Sequence, residues 1–305
     1  MTKQNLFPGK TFISTALEAL DYKAAMTAEM RHRYLMRAAM AGIIVGIFYD
    51  AYLSVVAAFD AVQLGDATLK PLGKIAGALA FSPALVFIYY SKSELLTSNM
   101  MIGSIGMYYK RITANRTAKI LFWCFIGNAL GGLFVAAVMN FSSMISPQVL
   151  AIMTETIDHK LEYIWEGWPG WVDLFFRAMY CNFMINLAML LIYNGMIKED
   201  IVKTLVMMIA VFVFAFTGME HSVANTVLFE IYAFQAHLDW AAAIANVFIC
   251  LLGNMVGGGI LIHGLHALGF HAPEEVVHHA ADRVAGMLPA MKSFLNWLVS
   301  ASIAA

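Results

Sequence analysis

The stretch Phe216-Thr217-Gly218-Met219-Glu220-His221-Ser222-Val223-Ala224-Asn225 lies in the middle of an apolar segment of about residues 205–234. Its Glu-His pair places ionisable side chains at membrane depth, where such groups are costly and usually functional. Gly218 and the small polar residues around the pair predict a helix that breaks here. Irregular backbone in a membrane is tolerated only where it is buried in protein or lines a cavity. We therefore expect a pore or binding site at the bilayer midplane, centred on His221.

The composition is typical of an integral membrane protein. The chain has 305 residues, of which 61% are hydrophobic and 13% are charged, whereas a soluble domain carries about 25% charged residues. A net charge of -1 without a basic patch argues against a nucleic-acid partner. Cys124, Cys181 and Cys250 lie in apolar segments and belong to no CxxC or Cys/His cluster. We therefore expect neither disulfides nor a metal site nor a cofactor.

Hydrophobic runs predict an all-α integral membrane protein, since one crossing needs about 20 apolar residues. The second run is too long for one straight crossing and is interrupted at Ser91-Lys92-Ser93-Glu94. The fifth run contains the opening stretch. Six spans are predicted, over about residues 35–58, 72–107, 118–144, 174–196, 205–234 and 241–268.

The segments that flank the six-span domain, residues 35–270, are expected on the cytoplasmic side. Residues 1–34 predict an amphipathic helix on the membrane face, and residues 271–305 an amphipathic tail rather than a seventh span. With both termini in the cytoplasm, fourteen lysines and arginines lie inside and three lie in outside loops. This positive-inside bias predicts a multi-pass protein of the cell inner or plasma membrane with that orientation.

The two interrupted runs match at a fixed offset. Glu94 and Asn99 correspond to Glu220 and Asn225, 126 positions later. Several identities at one offset without a gap are hard to obtain by chance, even in an apolar background. The second and fifth spans therefore read as copies of one element.

The third and sixth spans continue the same offset. The pattern Phe-x-Cys-x-x-Gly-Asn-x-x-Gly-Gly begins at Phe122 and again at Phe248. Two halves of three spans each, about residues 35–144 and 171–270, must run in opposite directions because three is odd. This predicts an inverted repeat, whose paired broken helices mark a substrate site. The amides Asn128 and Asn254 either line the path or hydrogen-bond between helices.

His221 is the candidate titratable centre of the site. Histidine titrates near 6.5, so the site is expected to be pH-sensitive, and Thr97 is the natural opposing donor. The repeat places Leu95 at the matching position, so the histidine occurs in one half only. Glu94 and Glu220 are interpreted as supporting groups that cap helix N-termini or bind backbone, because a carboxylate would repel an anion. Constrictions are expected from the apolar residues around the break: Phe81, Leu85, Ile185 and Phe214.

These motifs together resemble the formate/nitrite transporter family over about residues 34–268. They are Ser93-Glu94-Leu95-Leu96-Thr97-Ser98-Asn99, the Gly-Asn pairs at 127–128 and 253–254, Cys181-Asn182, and the run from Gly218 to Asn225, whose Glu-His-Ser-Val-Ala-Asn is highly specific. The resemblance implies an aquaporin-like six-span protomer with a pore in each subunit of a homopentamer. It also implies passage of formate, nitrite, hydrosulfide, acetate or lactate, as anions or acids, across the lipid bilayer.

The resemblance also assigns roles by motif. It makes His221 the central histidine and Thr97 its partner on the mobile loop of the broken second span. Five further positions match residues of the pore: the constriction residues Leu85 and Phe214, Phe81 beside the pore, and the pore-lining amides Asn182 and Asn254.

Three positions depart from the family pattern. Lys92 stands where the family usually has a small residue, and a cation there is expected to draw anions inward or alter gating. Met219 replaces an aromatic residue and Leu96 replaces Phe. Lys160 precedes Asn182 by 22 residues. It matches the family's vestibule lysine only if an insertion around residues 165–171 explains the wider spacing.

The sequence therefore predicts a channel or proton-coupled transporter for small monovalent anions or their acids, with formate first, and no enzyme. A nitrite or hydrosulfide channel is the alternative within transport. The alternative from another class is a haem-binding membrane redox protein, prompted by His221, His263 and His266. Such a protein needs a pair of histidines facing across helices.

Overall fold

The computed structural model describes residues 10–262 and residue 264 and is built almost entirely of helices. The predicted tail, residues 271–305, lies outside the described residues. The second and third helices are joined by an antiparallel hairpin whose strands have two residues each, β1 (Gln63–Leu64) and β2 (Ala67–Thr68). The helices are α1 (Lys10–Glu29), α2 (Arg31–Asp60), α3 (Lys70–Phe81), α4 (Ala84–Tyr90), α5 (Leu96–Tyr108), α6 (Ala114–Asn140), α7 (Pro147–Trp165), α8 (Trp168–Tyr193), α9 (Asp200–Phe216), α10 (Ser222–Gln235) and α11 (Trp240–Asn254), which continues as a π-helix (Met255–Leu261).

Five helical stretches among the described residues are long and apolar enough to cross a membrane. They coincide with the predicted first, third, fourth and sixth spans and with the amino-terminal part of the second. The α9 and α10 helices, which occupy the predicted fifth span, have 17 and 14 residues. The predicted all-α membrane protein is thus confirmed. The five stretches are Arg31–Asp60, Lys70–Tyr90, Ala114–Asn140, Trp168–Tyr193 and Trp240–Leu261.

The apolar stripe of α1 packs against the helix bundle. Phe12, Ala16 and Leu20 are buried, and Leu20 reaches Gly106 of α5, where a side chain on the glycine would collide with it. The buried part of the stripe thus faces protein, and the location of this helix at the membrane face stays a prediction. Amphipathic periodicity shows that one face is covered, but it does not distinguish a protein surface from a lipid surface.

The connection after α6 contains a helix, α7, that was not predicted from the hydrophobic runs. Ser146 caps α7 by accepting from the Val149 amide at 3.3 Å, and Pro147 occupies the first turn, where its missing N–H costs nothing. The local signals for α7 are therefore present in the sequence. This helix lies over the break between α9 and α10 and borders the main cavity there.

Glycines set the close approach of α2 to α6 and of α8 to α11. A Cβ on Gly131 of α6 would lie 2.0 Å from the Ala39 carbonyl oxygen of α2. A Cβ on Gly257 would lie 1.8 Å from the Met179 carbonyl oxygen of α8. Small residues at such crossings let backbones touch and increase van der Waals contact in a membrane.

We expect Gly131→Leu to abolish the folded protein, because the α2 backbone leaves no room for any side chain at this position. Size-exclusion chromatography in detergent with a fluorescent fusion measures this as loss of the monodisperse peak. The control is Leu130→Ala on the same helix, since Leu130 is 51% exposed and should tolerate truncation. A monodisperse Gly131→Leu protein would contradict this view of the α2–α6 contact.

Candidate functional site

Two helix breaks form the centre of the molecule. Residues 91–95 separate α4 from α5, and residues 217–221 separate α9 from α10, where Gly218 has a φ of +69°. Leu95 and His221 directly precede the resumed helices with nearly the same extended backbone, φ/ψ of -103/128° and -115/115°. Both breaks lie where the sequence predicts interruptions.

Asn128 of α6 supports the first break. Its Nδ2 donates to the carbonyls of Ala38 and Glu94, both at 2.8 Å. Its Oδ1 accepts from the Leu96 amide at 3.1 Å. One buried side chain thus satisfies the backbone on both sides of the break and ties it to α2.

Asn254 makes the corresponding contacts at the second break. Its Nδ2 donates to the carbonyls of Ala178, at 2.7 Å, and Glu220, at 3.1 Å. Its Oδ1 accepts from the Ser222 amide at 2.9 Å. The three positions Glu220, Ser222 and Asn254 each lie 126 residues after their counterparts at the first break.

The Glu220 carboxylate is held in a buried polar ring. Its Oε2 accepts from Lys160 Nζ at 2.6 Å and from Asn225 Nδ2 at 2.7 Å. Asn225 also donates to Asn246 Oδ1 at 2.8 Å, and Asn246 Nδ2 donates to the Lys160 carbonyl at 2.8 Å. Burial opposes the charge on Lys160, but the adjacent Glu220 carboxylate keeps the lysine pKa above its ordinary value. The Lys160–Glu220 ion pair and the amides around it therefore fix α7 to the second break.

The Glu94 carboxylate has a similar environment on the other break. It accepts from Lys23 of α1 and from Asn99 Nδ2 at 3.1 Å, and it forms an ion pair with Arg37, whose Nη2 lies 3.2 Å from Glu94 Oε1. Neither Glu94 nor Glu220 caps a helix with its side chain, so that expectation was wrong. The two carboxylates bind cations and amides, and the asparagines after the breaks bind the backbone.

His221 faces Thr97 across the two breaks, as the sequence predicts, but Thr97 lies in the first turn of α5 and not in the loop before it. The histidine Nε2 lies 3.1 Å from Thr97 Oγ1, and its Nδ1 accepts from the Ala224 amide at 3.1 Å. Because Nδ1 is an acceptor, the neutral ring carries its proton on Nε2, which can donate to the threonine. A second proton on Nδ1 would remove the cap of α10.

Two cavities meet at His221. The outer one, here called the vestibule, has a volume of about 1090 Å³ and extends from α7 and α3 to the second break. The inner one has about 20 Å³. Phe81, Phe214 and His221 border both, with 6.1 Å between the ring centroids of the two phenylalanines and 6.0 Å from Phe214 to His221. A constriction of aromatic rings thus separates the cavities.

The other predicted site residues divide into two groups. Leu85 and Ile185 border the inner cavity. Asn182 and Asn254 border neither of these two cavities, and Asn182 Nδ2 instead donates to the carbonyls of Thr97, at 3.1 Å, and Asn254, at 2.7 Å. Asn182 therefore positions the backbone of Thr97.

Lys92 and Lys160 occupy different surroundings. Lys92 is exposed, has a φ of 56° and places its Nζ 5.1 Å from the Tyr89 ring centroid. Its carbonyl accepts from Arg37, which also binds Glu94. Lys160 is buried and borders the vestibule.

Three supporting residues escaped the sequence reasoning. Lys23 binds Glu94 from α1, Asn246 completes the ring around Glu220, and Asn186 Nδ2 donates to the Thr97 carbonyl at 3.2 Å. The two asparagines carried a signal, because amides inside apolar runs need partners. Lys23 carried none, since it lies among other polar residues of the amino-terminal segment.

Comparison with known proteins identifies the class. Residues 10–268 match the family described as formate/nitrite transporter. The formate channel FocA of Haemophilus influenzae is 26% identical over 275 residues, covering 81% of this chain and 92% of that protein. The nitrite transporter NirC of Salmonella typhimurium is 29% identical over 243 residues, covering 78% and 84%.

A solved structure shares the fold. A pentameric formate channel with formate bound superposes with a TM-score of 0.62 at 21% sequence identity, covering 78% of this chain and 96% of that one. The fold, the breaks and the match over nearly the whole sequence define a multi-pass transport protein. The chain belongs to the formate/nitrite transporter family, which confirms the resemblance found in the sequence.

We expect removal of one partner of the Lys160–Glu220 pair to destabilise the protein by about 3–5 kcal/mol, because a buried charge is left alone. Thermal unfolding in detergent of Lys160→Met, Glu220→Gln and the double variant measures this. The double variant should recover at least half of the loss, since it leaves neither charge.

The exposed pair Lys203–Asp200 provides the control for this cycle. Lys203→Met should leave the melting temperature unchanged, because water replaces the lost contact. Equal melting temperatures for Lys160→Met and the wild type would show that the buried pair does not fix α7.

Proposed function

We propose that this protein is a channel or transporter for small monovalent anions or their acids, with formate as the first substrate. The observation that carries this proposal is the contact of His221 with Thr97, at the point where the vestibule meets the inner cavity. Family membership supports the class, and the formate channel and nitrite transporter relatives support the substrate range.

The protomer is proposed to have six spans, with α9 and α10 together forming the fifth. The matching hydrogen bonds of Asn128 and Asn254 at the two breaks support an inverted repeat of residues 35–144 and 171–270. The excess of lysine and arginine in the predicted inner segments supports cytoplasmic termini and a plasma-membrane location. In this orientation the vestibule opens to the outside.

The assembly is proposed to be a homopentamer with one pore in each subunit. The pentameric formate channel of the same fold supports this number. Large apolar side chains remain exposed along several helices of the single chain, for example Phe122 and Phe134 on α6 and Phe248 on α11. Such surfaces must contact lipid or neighbouring subunits.

The proposed mechanism neutralises the anion before it crosses the constriction. A bare charge between Phe81 and Phe214 would lose its hydration at a cost of at least several kcal/mol. His221 presents Nε2–H at this point, and Thr97 can accept that hydrogen bond while its own hydroxyl donates onward. The anion takes up a proton from the water of the vestibule while this pair holds it, and the neutral acid passes between Leu85 and Ile185.

Nitrite and hydrosulfide remain the rival substrates, with acetate and lactate as larger ones. Stopped-flow uptake of formate, nitrite and hydrosulfide into proteoliposomes over a pH series separates them. Formate uptake that rises as the pH falls supports the proposal. Absence of formate uptake beside rapid nitrite or hydrosulfide uptake would transfer the assignment to that anion.

A haem-binding redox protein is the rival from another class. Two of the histidines that prompted it, His263 and His266, lie outside the described residues, and family membership favours transport. An absorption spectrum of the purified protein tests this directly. A Soret band that shifts on reduction would reopen the redox assignment.

We expect His221→Phe to flatten the pH dependence of formate uptake, because the donor at the constriction is lost while an aromatic ring still fills the space. Initial uptake rates in proteoliposomes between pH 5 and pH 8 measure this change. Thr97→Val should also flatten the pH dependence, since it removes the hydrogen-bond partner of Nε2 but keeps the side-chain volume.

The matched control is His237→Phe. His237 is exposed and borders neither cavity, so its replacement should leave the profile as in the wild type. A His221→Phe protein with the wild-type profile would remove His221 from the mechanism.

A further inference from the structure

Charged side chains of both signs border the vestibule. Within the described part of the chain, three lysines and four carboxylates belong to its wall. The wall of an anion-conducting vestibule is therefore not strongly positive, and the arrangement of its charges matters more than their number. These residues are Lys70, Lys74, Lys160, Glu155, Asp158, Glu162 and Glu220.

Two of the lysines are neutralised by direct partners. Lys160 Nζ lies 2.6 Å from Glu220 Oε2, and both groups are buried. Lys70 forms an ion pair with Glu155 of α7. An ion pair acts on a distant anion only as a dipole, whose field falls off faster than that of a single charge. Neither lysine is then the main attraction for an arriving anion.

The other charges of the wall include one cation and one anion without a neutralising partner. Lys74 on α3 and Asp158 on α7 are both exposed and form no ion pair with any described residue. Glu162 differs from them in having a histidine beside it, with His159 Nδ1 3.5 Å from its Oε2, although a histidine compensates a carboxylate only when it is protonated. Lys74 and Asp158 are therefore the two wall charges that have no ion-pair partner at all among the described residues.

We propose that Lys74 and Asp158 set the rate at which anions reach the constriction, Lys74 by attracting them and Asp158 by repelling them. Low-dielectric walls focus the field of such charges into a cleft. This inference rests on the proposed function, because it concerns access of the same anion to the same site. It assigns to Lys74 an attraction that the buried Lys160 cannot supply while Glu220 binds it.

The test is formate influx into right-side-out membrane vesicles at subsaturating formate. At an ionic strength of 0.01 M, where the Debye length is about 30 Å, Lys74→Gln should lower the initial rate roughly twofold and Asp158→Asn should raise it roughly twofold. The combined variant should return close to the wild-type rate. At about 1 M salt, where the Debye length is about 3 Å, all four rates should converge.

Two control variants separate charge from structure. Lys74→Arg keeps the charge and should keep the wild-type rate and its salt dependence. Lys70→Gln combined with Glu155→Gln removes a neutralised pair from the same wall and should also leave the rate unchanged. Both exposed test positions tolerate polar replacements, so equal amounts of folded protein are expected.

The outcomes distinguish failure of this inference from failure of the proposed transport function on which it rests. Wild-type vesicles that take up formate, with Lys74→Gln and Asp158→Asn at the wild-type rate in 0.01 M salt, would overturn the assignment of these two residues and leave the transport function standing. Rates that change equally at low and high salt would overturn it as well, because a structural effect is not screened. Wild-type vesicles that take up none of the three candidate anions would overturn both.

Discussion

The unpaired backbone at the two helix breaks is the constraint on which the rest of this structure depends. Each free N–H or carbonyl at membrane depth costs several kcal/mol unless a partner replaces water. Asn128 and Asn254 supply these partners, and each also binds the neighbouring span through Ala38 or Ala178. The glycines beside the asparagines bring the helices close enough for this contact. The breaks thus exist only because packed helices surround them.

Charge neutralisation at the breaks links the surface helices to the centre. Glu94 and Glu220 are buried, and each is compensated by a lysine from a helix at a different edge of the molecule, Lys23 of α1 and Lys160 of α7. A carboxylate buried without such a cation would be strongly destabilising. The helices α1 and α7 therefore have a structural role, and α7 in addition forms part of the wall of the vestibule.

Sequence patterns predicted the breaks and the His221–Thr97 contact, because Gly218, the polar clusters and the offset of 126 residues are local or periodic signals. The ionic partners were not predictable in the same way. A buried carboxylate requires a cation, but Lys23 lies 71 residues from Glu94, and nothing in the spacing selects it. An amide such as Asn182 can line a pore or bind backbone with equal chemistry, so only its neighbours in space decide between the two.

The two breaks share a backbone geometry but differ in one side chain, and this difference makes the site chemically asymmetric. Leu95 cannot cap α5, whereas His221 caps α10 through Nδ1. Capping fixes the ring and reserves Nε2–H for the constriction, so the same hydrogen bond that stabilises the helix also selects the tautomer. A doubly protonated ring would have to release the helix end. His221 therefore acts best as a neutral hydrogen-bond donor, and the proposed mechanism accordingly takes the proton for the anion from water and not from the ring.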